Sequence, residues 1–188
     1  MTTAKEHYER GGNALPRDLQ QAAIEFTEAL RLQPDYFEAQ CALGSTLARQ
    51  GRHAEAAAAF ARAVELRPDA VLAHYFLAGT LSGLGRFEEA VAQWREIARL
   101  EPQDANAYLH LGMLLAQLGR RDEAIEAKRA LVRASPALAA AHADLAVALC
   151  DAGRLHEAKA EFEAAQKLDY AYFDNHPAEA RLFDKCRA

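Results

Sequence analysis

The chain has no run of about eighteen consecutive apolar residues, the length a membrane-crossing helix needs, although 51% of its residues are hydrophobic. It has no basic excess either: 22 Lys and Arg stand against 27 Asp and Glu, a net charge of −5. A nucleic acid or an anionic membrane surface favours a basic stripe, so neither is expected as a partner. Cysteine is scarce. Cys41, Cys150 and Cys186 are odd in number, far apart and without a C-x-x-C pair, so neither a disulfide framework nor a zinc site follows. Cys41 and Cys150 read as small, half-buried apolar residues. None of the seven histidines has another three or four residues away, the spacing that lets one helix face offer two metal ligands. Gly11-Gly12 is followed by no Lys-Ser and flanked by no strand pattern, which excludes a phosphate-cradling loop. The opening MTTAKEHYER lacks the apolar core of a secretory leader. The expectation is a cytoplasmic protein with no catalytic, cofactor-binding or metal-binding residues.

What the sequence does have is a period. Pro34, Pro68, Pro102 and Pro136 recur every 34 residues, as do Gly51, Gly85, Gly119 and Gly153, each followed by Arg. Ala56, Ala90, Ala124 and Ala158 keep the same phase, and so do Phe26, Phe60, Trp94, Lys128 and Phe162. Within one unit, His74, Leu77, Ala78 and Leu81 make an apolar stripe on a first helix. Gly85, free to take the left-handed conformation, ends it. Phe87, Ala90, Val91, Trp94, Ile97 and Ala98 make the stripe of a second helix, opposite Glu88, Glu89, Gln93, Arg95, Glu96 and Arg99. Such a hairpin has more apolar face than two helices can cover, so it needs neighbours.

The predicted helices run from Phe37 to Gln50, Ala54 to Leu66, Val71 to Leu84, Phe87 to Leu100, Ala105 to Leu118, Arg121 to Ala134, Leu138 to Ala152 and Leu155 to Leu168. Before them, a degenerate unit has a short first helix over Thr3 to Arg10, a lengthened turn at Gly11 to Pro16, and a second helix ending before Pro34. After them, Tyr170, Tyr172 and Phe173 form an aromatic cluster. Asp174-Asn175-His176-Pro177 then opens a last helix, expected to lay Ala178, Leu182, Phe183 and Cys186 over the preceding hairpin, the alternative being a protruding segment that docks into another copy.

A two-helix repeat of this length resembles the tetratricopeptide repeat. That family's small first-helix residue falls on Gly44, Ala78, Gly112 and Ala146, each after a leucine (Leu43, Leu77, Leu111, Leu145). Its second-helix alanine falls on Ala56, Ala90, Ala124 and Ala158. Gln40, His74, Tyr108 and His142 replace its early tryptophan, and Lys128 replaces an aromatic, departures expected to loosen packing locally. The resemblance implies an all-α, right-handed superhelical α-solenoid of helix-turn-helix repeats. It spans residues 1–188 as a single array: a degenerate repeat at 1–34, repeats at 37–68, 71–102, 105–136 and 139–170, and a C-terminal capping helix at 177–187.

The resemblance also implies where function lies. In this family the first helices line a concave groove, and the matching positions are Glu38, Cys41, Ala42 and Ser45; Leu72, Tyr75, Phe76 and Gly79; Asn106, Leu109, His110 and Met113; and Ala140, Ala143, Asp144 and Val147. Leu72, Tyr75, Leu109 and Met113 would form an apolar patch rimmed by Asn106, His110, Glu38 and Asp144, with Tyr75, Leu109 and Met113 as anchors. Phe76 and Leu109 fit packing against neighbouring helices equally well. The stripe offers no Lys or Arg, so the basic clamp with which some family members hold acidic chaperone tails is not expected. The implied function is a non-enzymatic adaptor or scaffold for an apolar or amphipathic peptide segment, as a monomer or weak homo-oligomer. The alternatives are a chaperone for secreted proteins, a self-assembling module built on the terminal aromatics, or an accessory subunit of an enzyme complex.

Overall fold

The computed structural model describes residues 2–187. Among them are twelve helices and no strand: α1 (Ala4–Ala14), α2 (Leu19–Leu32), α3 (Phe37–Arg49), α4 (His53–Leu66), α5 (Val71–Gly83), α6 (Phe87–Leu100), α7 (Ala105–Gln117), α8 (Arg121–Ala134), α9 (Ala139–Asp151), α10 (Leu155–Leu168), α11 (Tyr172–Asn175) and α12 (Pro177–Arg187). Two units are distinguished, one ending at Leu100 and the other opening at Glu101. In the first, α1 packs on α2, α3 on α4 and α5 on α6, and the hairpins join through α2 on α3 and α4 on α5. In the second, α7 pairs with α8 and α9 with α10, α8 packs on α9, and α12 covers both α9 and α10. No helix among the described residues is long and apolar enough to cross a membrane.

The repeated residues explain the hairpin. Gly51, Gly85, Gly119 and Gly153 all have positive φ, between 73° and 77°, which a side-chain-bearing residue adopts only with strain. After the turn, the backbone N–H of Arg86 donates to the carbonyl of Leu81 (2.9 Å), using a carbonyl the finished helix leaves open. The arginine that follows each glycine then grips a glutamate three residues on. Arg52 pairs with Glu55, Arg86 with Glu89, Arg120 with Glu123 and Arg154 with Glu157.

Where the helices cross, small residues face large ones. Ala56, Ala90, Ala124 and Ala158 are buried beside Phe60, Trp94, Lys128 and Phe162. A Cβ added at Gly44 would stand 2.7 Å from the Phe60 ring, so glycine there is what lets the aromatic enter. Ala90 is fully buried at the α5–α6 contact. Ala90→Leu should therefore force the pair apart and destabilise the chain by about 1 to 3 kcal/mol. An unchanged urea midpoint would remove the close-approach role given to this alanine.

The N-terminal hairpin departs from expectation. α1 does not stop at Arg10 but continues through Gly11 and Gly12 to Ala14. Its start is fixed by a capping box, in which the Glu6 N–H donates to Thr3 Oγ1 (3.2 Å) and the Thr3 N–H to Glu6 Oε2 (2.9 Å). Gly11 is no breaker. It is this hairpin's small contact residue, where an added Cβ would meet the Phe26 ring at 2.6 Å. It lies one residue nearer its phenylalanine than Gly44 does to Phe60, which hid the match.

Three of the four residues in the tryptophan slot are held by hydrogen bonds. His74 Nε2 donates to the Pro68 carbonyl (2.8 Å), the Tyr108 hydroxyl to that of Pro102 (3.1 Å) and His142 Nε2 to that of Pro136 (3.1 Å). Each thereby ties its helix to the turn before it, giving a turn carbonyl its partner. At the C-terminus, Tyr172 is buried against Ala143 and Ala165, and Phe183 against Ala146 and Phe162. Tyr170 is 87% exposed and stands outside the expected aromatic cluster. Ala178, expected to pack, is exposed, whereas Leu182 and Cys186 are half-buried.

Candidate functional site

In the first unit the expected surface residues lie on α3 and α5. Glu38 does not stand as a free rim charge: Arg67, from the turn after α4, places Nη2 2.7 Å from its Oε1 and its guanidinium 4.1 Å over the Phe37 ring. Burial pushes the Cys41 thiol up, Glu38 adds to this, and Arg67 opposes it, which favours the thiol over the thiolate. Ser45 is half-buried. Tyr75 meets Trp94 edge-on at 5.0 Å. Phe76 stacks on Phe60 at 5.2 Å yet stays 39% exposed, so it is packed and accessible at once. Leu72 is 64% exposed.

In the second unit several expected residues converge. A cavity of about 470 Å³ is lined by Asn106 and Leu109 from α7, Asp144 and Val147 from α9, and Leu131 from α8. Leu138, which precedes α9, Tyr172 and His176 at α11, and Glu179 on α12 complete the wall. Met113 (56% exposed) and His110 are on α7 but outside this lining. Burial pushes the His110 imidazole down, with Asp104 opposing. Ala143, expected at the surface, is buried beneath Tyr172.

The polar groups of this cavity are organised from behind. Lys128, buried in the aromatic slot of α8, sends Nζ to within 2.5 Å of Asp144 Oδ1. The His176 ring lies flat on Tyr172 (4.0 Å, 8°), and its Nδ1 donates to the Tyr172 carbonyl (2.7 Å). Burial pushes the Tyr172 phenol up, and the carboxylates of Glu179, Asp144 and Asp169 push it further, so that wall is electronegative. No set of three or more His, Cys, Asp or Glu side chains among the described residues could hold a metal ion. The arrangement can bind, by apolar contact with a few charged groups at one side.

Of the residues lining this cavity, the expected surface stripe includes Asn106, Leu109, Ala140, Asp144 and Val147 but not Leu131, Leu138, Tyr172, His176 or Glu179, nor Lys128 behind them. Lys128 had a signal: a lysine in a phase of aromatics must carry its charge out to a partner. The C-terminal residues had none, because they lie beyond the last repeat.

Two sequence models of the tetratricopeptide repeat match, one over residues 17–71 and again over 77–139, the other over 47–97. The chain belongs to the tetratricopeptide repeat family. Among curated proteins, none matches it in sequence. Solved structures of the same fold include MamA, at 22% identity and a TM-score of 0.75 over 89% of this chain and 92% of that one. A MamA from Desulfovibrio magneticus RS-1, described as residues 41 to the end, is 22% identical with a TM-score of 0.69, over 90% and 96% of the two chains. YrrB, described as a TPR protein with an unusual peptide-binding site, is 20% identical with a TM-score of 0.75, over 94% and 92%. At these identities the likeness concerns the fold.

Proposed function

We propose that this tetratricopeptide protein is a non-enzymatic adaptor that holds an apolar or amphipathic segment of a partner protein, and that the second-unit cavity is its principal binding site. The observation that carries this reading is the cavity's make-up: Leu109, Leu131, Leu138 and Val147 supply apolar area, and Asn106, Asp144, His176 and Glu179 supply directional groups. Peptide binding described for YrrB, a protein of the same fold, agrees with it. The exposed Leu72, Phe76 and Met113 extend apolar surface within their own units. The carboxylates around Tyr172 favour a segment whose apolar anchors are flanked by Lys or Arg, and they disfavour an acidic tail.

Selection from a random peptide library displayed on phage, with the full chain as bait, tests this. The expected result is enrichment of sequences with two or more apolar residues beside a basic one. Leu109→Glu combined with Val147→Glu should weaken the selected peptides at least about tenfold in calorimetry, with the helical circular dichroism unchanged. Enrichment of acidic peptides, or binding indifferent to both glutamates, would overturn the assignment.

A further inference from the structure

We propose that Cys150 and Cys186 are a modification site: on oxidation they form a disulfide that staples the C-terminal helix α12 to α9 of the last hairpin. Their Sγ atoms are 2.8 Å apart although the residues are separated by 36 positions, more than a full repeat. They belong to two helices that pack on each other, and both cysteines pack against the same two buried clusters, one containing Ile125 and Leu149 and the other Phe162 and Phe183. The encounter is therefore held by the core of the cap, as a near-attack arrangement requires. Cys41 lies on α3 in the other unit and serves as an internal control.

A low-molecular-weight disulfide such as oxidised glutathione supplies the oxidant. The Cys186 thiolate attacks one glutathione sulfur, forming a mixed disulfide and releasing one glutathione thiolate. Cys150 then loses its proton to solvent and attacks the Cys186 sulfur, expelling the second glutathione. Two protein thiols thus lose two protons and two electrons, and one glutathione disulfide gains them. Cys186 attacks first because it rides on the terminal helix, which opens locally to admit the oxidant; burial, with the neighbouring Cys186, pushes the Cys150 thiol up to about 12.

The consequence falls on α12. A terminal helix opens by local unfolding at little cost unless it is tied down, and the bond removes that freedom. Glu179 rides on the same helix, so oxidation would also fix that wall of the cavity. This last effect rests on the binding reading above; the bond itself does not.

The test is incubation of the full chain with excess oxidised glutathione at mildly alkaline pH, followed by non-reducing digestion and mass spectrometry. The expected product is lighter by two hydrogens, yields a Cys150–Cys186 crosslinked peptide and leaves only Cys41 open to maleimide. Deuterium uptake over residues 177–187 should slow about tenfold or more, reversibly with dithiothreitol. Cys186→Ser should abolish the slowing. Three titratable thiols after oxidation, a crosslink to Cys41 or between chains, or unchanged exchange over 177–187 would overturn the proposal. A crosslink that forms while selected peptides ignore the Leu109→Glu, Val147→Glu pair would sink the binding reading and leave this one standing.

Discussion

Phe162→Ala should destabilise the chain by about 3 to 5 kcal/mol, the range for emptying an aromatic site that cannot collapse, and should release the C-terminal cap before the rest of the second unit. Phe162 is fully buried. Its ring lies 5.9 Å from that of Phe173 and 5.4 Å from that of Phe183, and Phe173 and Phe183 stack on each other at 5.3 Å. These three rings fasten the cap to α10, so a hole at the centre removes contacts from every element at once. Urea unfolding gives the loss, and hydrogen exchange locates it: residues 172–187 should lose protection while α7 and α8 keep theirs. A loss below about 1 kcal/mol, or exchange that rises evenly along the unit, would show that the cap does not depend on this ring.

The same ring shows where the sequence was legible. Phe162 could be placed as a core residue because it keeps phase with Phe60 and Trp94, and the helices of all four regular hairpins fall within a residue of expectation because glycine and proline punctuate every turn. Of the rings it meets, Phe183 was expected over the preceding hairpin, whereas Phe173 was legible only as one of a list of aromatics. Nothing local distinguishes Tyr170, which points to solvent, from Tyr172, which seals the last hairpin, because the repeat that would set their phase has ended. Gly11 fails for the opposite reason. Two consecutive glycines suggest a break by backbone entropy, but the close approach of Phe26 demands glycine there, and tertiary packing overrides local preference. Leu109 and Val147, which line the cavity, are placed on the surface stripe by phase alone. His176, Glu179 and the pairing of Cys150 with Cys186 depend on how a non-repeating segment folds back, which no period encodes.

Lys128→Ala should cost about 2 to 4 kcal/mol, and the reason separates two roles that one side chain combines. The aliphatic stem fills the slot that Phe60 fills two hairpins earlier, with Cγ 3.0 Å from where a Cβ on Gly112 would stand, and each buried methylene contributes about 0.8 kcal/mol. The ammonium meets Asp144, whose side chain is 40% exposed. Water can therefore replace the lysine at Asp144, which keeps the loss below that of breaking a fully buried pair. Lys128→Met retains the stem and removes the charge, so it should stay within about 1 kcal/mol of the parent. Lys128→Phe restores the residue class of the other hairpins and should be neutral or stabilising, since Gly112 leaves the room that Gly44 leaves for Phe60. All three variants uncover the Asp144 carboxylate in the cavity wall, and peptides with a basic flank should bind more tightly as a result. If alanine and methionine prove equally costly in urea unfolding, the charge rather than the stem holds α8 against α9. The aromatic slot would then have been converted to an electrostatic contact.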